Sequence, residues 1–216
     1  MTLNKIHNAD CLEFMKGMPD KCVDLVLTDP PYGIKMDKGT DGFGVTRGKK
    51  YSDNWDNDKP DITYFREILR IARHSIIFGG NYFTELLPQN NHWIVWDKVG
   101  EMKFENPFSD CELAWTDFEK KTVKKYIVIQ QGFVAEEKER FHPTQKPVKL
   151  FSLIINDYTS SDQIIFDPFV GSGTTAIACL KTGRKFIGCE ISKKYCDIAN
   201  KRIDNSLAQQ DLFREL

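Results

Sequence analysis

With 216 residues, 41% of them hydrophobic, the chain is long enough for one well-buried domain and short for two. Its formal net charge of −1 excludes a protein whose whole surface lies on nucleic acid, so any duplex contact has to come from a basic face offset by acid elsewhere. Six scattered cysteines without a CxxC pair, and no His cluster at ligand spacing, argue against a structural zinc. The absence of a signal-peptide core or a bilayer-length apolar run leads us to expect a reducing, cytoplasmic protein with no membrane partner.

Taken in chain order, short aliphatic runs alternate with amphipathic stretches. That pattern predicts an α/β protein with a mainly parallel sheet and helices on both faces, a Rossmann-like arrangement. Strands are expected at Val23 to Thr28, Ser75 to Phe78, Trp93 to Trp96, Leu113 to Thr116, Tyr126 to Ile129, Gln163 to Phe166 and Lys185 to Glu190. Helices are expected at Ile62 to Arg73, Pro147 to Tyr158, Thr174 to Thr182 and Lys193 to Asn205, with Gly183 stopping the third. The stretch from Lys35 to Pro60 is rich in Gly, Asp, Asn and Lys and too long for a connector, so it reads as a mobile functional loop or a disordered one within a single domain spanning 1–216. Basic runs occur at Lys35 to Lys50, Lys120 to Lys125 and Lys138 to Lys149.

The late run Phe166-Asp167-Pro168-Phe169-Val170-Gly171-Ser172-Gly173-Thr174-Thr175 has the form of a strand, a glycine turn and a helix start. Asp167 ends the strand, the glycines let backbone approach a ligand, and Thr174 opens the helix. Glu190 follows about twenty residues beyond the glycines and after a second strand, where nucleotide-binding sheets place an acid that takes two hydrogen bonds from a ribose diol. A Walker phosphate loop would need Lys after its last glycine, and this chain has Thr174-Thr175. A dinucleotide fingerprint would need a third glycine where this chain has Thr. ATP, GTP and NAD are all disfavoured.

An early run, Thr28-Asp29-Pro30-Pro31-Tyr32-Gly33, and the segment His142-Pro143-Thr144-Gln145-Lys146-Pro147 complete a set. Together the three runs resemble the beta class of DNA amino-methyltransferases, in which the catalytic half precedes the cofactor half. The resemblance covers most of the chain and implies S-adenosylmethionine as cofactor. Its ammonium favours a carboxylate such as Asp167, and its carboxylate favours hydroxyls and N–H groups at a helix start, which Ser172 and Thr174 offer. It also implies contacts from Asp29, Phe169, Gly171, Gly173 and Glu190. Asn8-Ala9-Asp10-Cys11 is similar to the segment that sets an acid and a backbone amide at the adenine ring of the cofactor. Thr144, Gln145 and Lys146 would lie over its methionine end.

The same resemblance assigns the chemistry to Asp29, Pro30, Pro31 and Tyr32. An exocyclic amino group is a poor nucleophile because its lone pair is delocalised into the base. Asp29 and the Pro30 carbonyl can each accept an amino hydrogen, drawing nitrogen toward tetrahedral geometry, while the two prolines fix the backbone and Tyr32 offers a stacking face. A base in a duplex must be rotated out to reach such a pocket. The expected activity is N6-adenine methylation of double-stranded DNA, since N4-cytosine relatives more often carry Ser at the head of this motif. N4-cytosine methylation is the alternative, followed by a non-catalytic DNA-binding subunit and by methylation of RNA or a protein amide. Target recognition is expected within Asp97 to Arg140, a stretch with no matched motif, where most of Trp93, Trp96, Phe104, Phe108, Trp115 and Phe118 are expected in the core. Lys35, Arg47, Lys49 and Lys50 are expected to meet DNA phosphates. A homodimer and a separate restriction endonuclease are the further partners consistent with this family.

Overall fold

The structure is a computed structural model that describes residues 2–33, 59–102, 109–130, 141 and 145–214. The strands are β1 (Lys5–Asn8), β2 (Val23–Thr28), β3 (Ala72–Phe78), β4 (Trp93–Asp97), β5 (Cys111–Thr116), β6 (Lys124–Ile127), β7 (Ile164–Asp167) and β8 (Lys185–Glu190). The helices are α1 (Cys11–Lys16), α2 (Ile62–Ile71), α3 (Val148–Tyr158), α4 (Thr174–Thr182) and α5 (Lys193–Arg214).

All eight strands join one sheet in the order β1-β8-β7-β2-β3-β5-β4-β6. Only β5 runs antiparallel to its neighbours, β3 and β4; every other pairing is parallel. From β7 the chain winds through α4 to β8, and from β2 through α2 to β3, so the adjacent pair β2 and β7 is where winding reverses direction. A doubly wound sheet opens a crevice at the carboxyl ends of such a pair.

The strand period of two sorts the core into two layers. Leu25, Leu27, Ile76, Phe78 and Ile165 pack with residues of α3, α4 and α5. Val26, Ile77 and Phe166, one position out of phase, pack with Met15 of α1 and Phe65 and Ile68 of α2. The central strands are therefore buried on both faces, which is why they read as near-continuous aliphatic runs. Among the expected aromatics, Trp96 and Trp115 are buried in these layers. Their indole N–H groups donate to the carbonyls of Val128 and Pro88.

Several boundaries differ from expectation for local reasons. β1 and α1 were not anticipated: four and six residues are too short to carry a period, and β1 is defined by its pairing with β8. α2 ends at Ile71, two residues before the expected stop at Arg73, because Ala72 pairs with Val23 and opens β3. β6 lies at Lys124–Ile127, two residues earlier than expected, since its register pairs Ile94 with Lys124. There Lys124 and Lys125 charge the edge of the sheet, which discourages further strand addition. α5 runs to Arg214 because the sequence beyond Asn205 holds helix formers and no Gly or Pro to stop it. α4 does end at Gly183, whose N–H donates to the Cys179 carbonyl.

No helix among the described residues is long and apolar enough to cross a membrane. The expected loop at 35–60 falls outside the described residues except for Lys59 and Pro60, and Phe104 and Phe108 also lie outside.

One glycine marks how tightly the glycine turn is set against the sheet. A Cβ at Gly188 of β8 would come within 2.3 Å of Val170 Cγ2. Gly188→Ala is therefore expected to lower stability by about 1–3 kcal/mol in a denaturant titration. Pairing it with Val170→Ala should recover part of that loss, and an additive double variant would show that the two positions do not touch.

Candidate active site

The crevice is built by the carboxyl ends of β2 and β7 and by the turns that follow them. Asp167 is the last residue of β7 and is 4% exposed. Its Oδ1 accepts from the Thr28 hydroxyl at 2.7 Å and from the Phe169 N–H at 3.0 Å, and its Oδ2 accepts from the Thr175 hydroxyl at 2.5 Å. Every one of these donors is neutral. Burial pushes the carboxyl up to about 6 against those hydrogen bonds. A buried carboxylate held by neutral donors, with no cation paired to it among the described residues, has the chemistry to receive a positive group.

The turn after β7 is tied down from three sides. The Gly171 N–H donates to Glu190 Oε2 at 2.8 Å, the Ser172 hydroxyl donates to Gln145 Oε1 at 3.0 Å, and the Thr174 hydroxyl donates to the Lys146 carbonyl at 3.1 Å. Gly173 sits at φ +92°, and a Cβ there would press on Ala199 of α5 at 3.0 Å, so both backbone and packing call for glycine. A Cβ at Gly171 would meet nothing within 4 Å, which leaves that side of the turn open to a ligand. Glu190 ends β8 with Oε1 accepting from the Ser192 N–H at 2.8 Å, and burial pushes its carboxyl up to about 7. The pocket that results is lined by Asp29, Gln145, Lys146, Phe151, Asp167, Phe169, Val170, Gly171, Ser172, Thr174 and Thr175.

Asp29 follows β2 directly. Its Oδ1 accepts from the Tyr32 hydroxyl at 2.5 Å and its Oδ2 from Lys146 Nζ at 2.5 Å. Burial raises its pKa, the Lys146 ammonium opposes that rise, and the Glu112 carboxylate adds to it. The Tyr32 ring stacks on Tyr82, with centroids 4.8 Å apart and planes 18° from parallel, and meets Phe83 edge-on. Gly79 makes room for it: φ is +67°, and a Cβ would come within 2.1 Å of the Tyr32 ring. Pro30 is buried and Pro31 partly so, fixing the backbone that carries Asp29.

The structure thus brings together Asp29, Pro30, Pro31, Tyr32, Gln145, Lys146, Asp167, Phe169, Gly171, Ser172, Gly173, Thr174 and Glu190. Three of the expected residues also make contacts within the protein. Asp10 Oδ1 caps α1, accepting from the N–H groups of Leu12 and Glu13 at 2.8 and 3.1 Å. Cys11 is buried beside it, its thiol pushed up to about 12 by burial, so it acts as a neutral packing residue. Lys146 was expected at the methionine end of a cofactor, and its ammonium lies on Asp29 and, at 3.1 Å, on Glu112. Thr144, Lys35, Arg47, Lys49 and Lys50, along with His142 and Pro143, lie outside the described residues.

Further residues hold the site. Thr28 and Thr175, which the motifs contain but do not mark as partners, bond to Asp167. Glu112 and Lys98, 3.2 Å apart, drew no attention, although a carboxylate inside the apolar strand Cys111–Thr116 is the kind of residue that signals a buried charge cluster.

Comparison with known proteins agrees with this architecture. The family model of the N6/N4 DNA methylases matches residues 46–201, most of the chain, beginning after the Asp29 run. Among curated relatives, a type II methyltransferase of Haemophilus parainfluenzae, M.HpaI, is 26% identical over 96% of this chain and 76% of its own. M.HinfI of Haemophilus influenzae is 28% identical, over 93% of this chain and 68% of its own. Among solved structures, the complex of M1.HpyAVI with SAM superposes with a TM-score of 0.59 at 24% identity, covering 92% of this chain and 98% of that one. The cytosine-N4-specific PvuII DNA methyltransferase superposes at 0.61 with 15% identity, over 93% of this chain and 90% of that one. At these identities the superpositions speak for the fold, and it is the match along most of the sequence that decides membership: this chain belongs to the N6/N4 DNA methylase family.

Proposed function

We propose that the chain transfers a methyl group from S-adenosylmethionine to the N6 amino group of adenine within a specific sequence of double-stranded DNA, acting on a base rotated out of the helix. The observation that carries this reading is the placement of Asp29 and Asp167 at the ends of adjacent parallel strands, one acid for the acceptor and one for the donor. The donor, when bound, supplies an electrophilic methyl on a sulfonium. Asp167 holds its ammonium, the Ser172 and Thr174 end of α4 faces its carboxylate, and Glu190 takes the ribose hydroxyls with the lone pairs left over from its two backbone bonds. Asp10 and Cys11 bring their backbone to the adenine side, with Asp10 Oδ2 remaining as an acceptor.

Asp29 and the Pro30 carbonyl orient the amino nitrogen by accepting its hydrogens, and the Tyr32 face supports the ring. Adenine is favoured because Asp heads the motif, where N4-cytosine relatives more often carry Ser. The second reading is N4-cytosine methylation, favoured by the likeness of fold to a cytosine-N4-specific enzyme. Digestion and mass analysis of DNA treated with the protein and labelled donor separates the two: N6-methyladenine supports the first, N4-methylcytosine the second, and unmodified DNA refutes both. Target reading is assigned to the region 97–140. A homodimer and a separate restriction endonuclease complete this reading, both testable by co-purification.

Asp29→Ala should keep donor affinity within a few-fold by calorimetry while turnover falls by orders of magnitude, because the acceptor lost is needed mainly in the transition state. Undiminished turnover would remove Asp29 from the chemistry.

Donor affinity should depend on pH. A bound ammonium favours ionised Asp167, whose carboxyl stands at about 6, so affinity is full above that value and falls as pH drops through it, approaching about tenfold per unit for one linked proton. Glu190, at about 7, adds a shallower decline that begins earlier. Asp167→Asn should bind weakly and lose the lower step, and a profile identical to wild type would place the ammonium elsewhere.

The cations Arg47, Lys49 and Lys50 are proposed to replace counterions on DNA phosphates. Neutralising all three should lower the salt slope of DNA binding by up to about three units. An unchanged slope would exclude phosphate contacts from that stretch.

A further inference from the structure

Both oxygens of Asp29 are engaged in the structure, one by the Tyr32 hydroxyl and one by the Lys146 ammonium. Each oxygen keeps a second lone pair that an amino hydrogen can reach, but the ammonium at 2.5 Å draws the charge of Oδ2 to itself, so that oxygen is a full-strength acceptor for the base only when Lys146 moves off it. Lys146 cannot withdraw to water: its side chain is 6% exposed, with the rings of Tyr32 and Phe78 lying 5.7 and 5.6 Å from Nζ. The exit open to it is Glu112 Oε2 on β5, 3.1 Å away, a buried atom that receives no well-directed hydrogen bond. Glu112 does not follow Lys146, because its other oxygen is held by Lys98 at 3.2 Å from the end of β4.

We propose that Glu112 is a positioning residue for methyl transfer: it receives the Lys146 ammonium when the target amino group takes the Asp29 oxygen. The cluster holds two carboxylates and two ammonium groups, so moving Lys146 between its two acceptors leaves the buried charge balanced at every stage. Nothing covalent changes in this step. The inference rests on the role given to Asp29 above and adds the device that frees Asp29 for the base. Without Glu112, Lys146 has a single acid to pair with and stays on it.

The titratable and charged groups facing Asp29 are Lys146, Tyr32, Glu112 from β5 and Asp167 from β7, and those facing Glu112 are Lys98, Lys146 and Asp29. Burial pushes the Glu112 carboxyl up, but Lys146 and Lys98 outweigh it and hold it below its ordinary value, so it stays an anion. That anion disfavours ionisation of Asp29, and Lys98 moderates the effect. Changing the two residues should therefore displace the acid limb of the rate profile in opposite directions.

The test uses the full chain, unmethylated phage DNA and labelled S-adenosylmethionine, with single-turnover methyl transfer followed against pH and donor affinity measured by calorimetry. Glu112→Gln should lower the plateau rate by about tenfold or more, with donor affinity within about twofold of wild type. Its acid limb should move to lower pH, because a like charge beside Asp29 is gone. Lys98→Met should move the limb to higher pH, and it carries the test if Glu112→Gln does not fold. Opposite shifts support the proposal; unshifted limbs, or two limbs moving together, overturn it while leaving the proposed activity intact. A wild-type protein that methylates no DNA overturns the proposed activity itself, and this role with it.

Discussion

The buried carboxylate of Asp167 is the constraint on which the rest of the site depends. It lies at the end of a central strand and accepts three hydrogen bonds, from Thr28 of β2, Thr175 of α4 and the backbone of Phe169, which leaves Oδ2 one acceptor position. Each such bond to an ionised group contributes about 1.5–3 kcal/mol, and an unsatisfied charge in that position would cost several. One side chain thereby locks the two halves of the sheet at the point where winding reverses. The Thr28 bond also fixes where β2 ends, and so where Asp29 begins the next turn.

Around that pin the molecule divides its charges by purpose. At the ends of β7 and β8 the acids Asp167 and Glu190 are held by neutral groups and lifted toward neutrality by burial. Beyond the end of β2 Asp29 is bound to Lys146, which shares itself with Glu112, which is tied to Lys98. The two sides are linked by the segment Gln145-Lys146. Its amide and carbonyl hold the glycine turn through Ser172 and Thr174, and its ammonium holds Asp29. A shift in this short stretch would be felt by both the glycine turn and Asp29.

Much of the fold is legible in local pattern. The runs Val23 to Thr28 and Lys185 to Glu190 are too short and too apolar to be other than buried strands, and α4 is bracketed by its glycines. The pattern fails where an element exists only through its neighbours. β1 has four residues and is a strand because β8 lies beside it, and Asp10, read as a cofactor residue, is spent first on capping the helix that follows. β6 slides by two residues because pairing with β4, and not its own apolar content, sets its register.

The sequence by itself determined the chemistry available: a strand, a glycine turn and a helix start with an acid before and after them, and a second acid made rigid by two prolines. These are short-range features, specified by backbone conformation and residue type within a few positions. Only the tertiary structure decided which group holds which. Thr28 meets Asp167 across 139 positions, and Lys146 meets Asp29 across 117. The Lys146 ammonium lies on Asp29 and Glu112 because strand order puts β2 and β5 on either side of β3, bringing both carboxylates to it. Strand order is settled by how whole layers bury their faces against one another, and no local stretch of sequence contains that information.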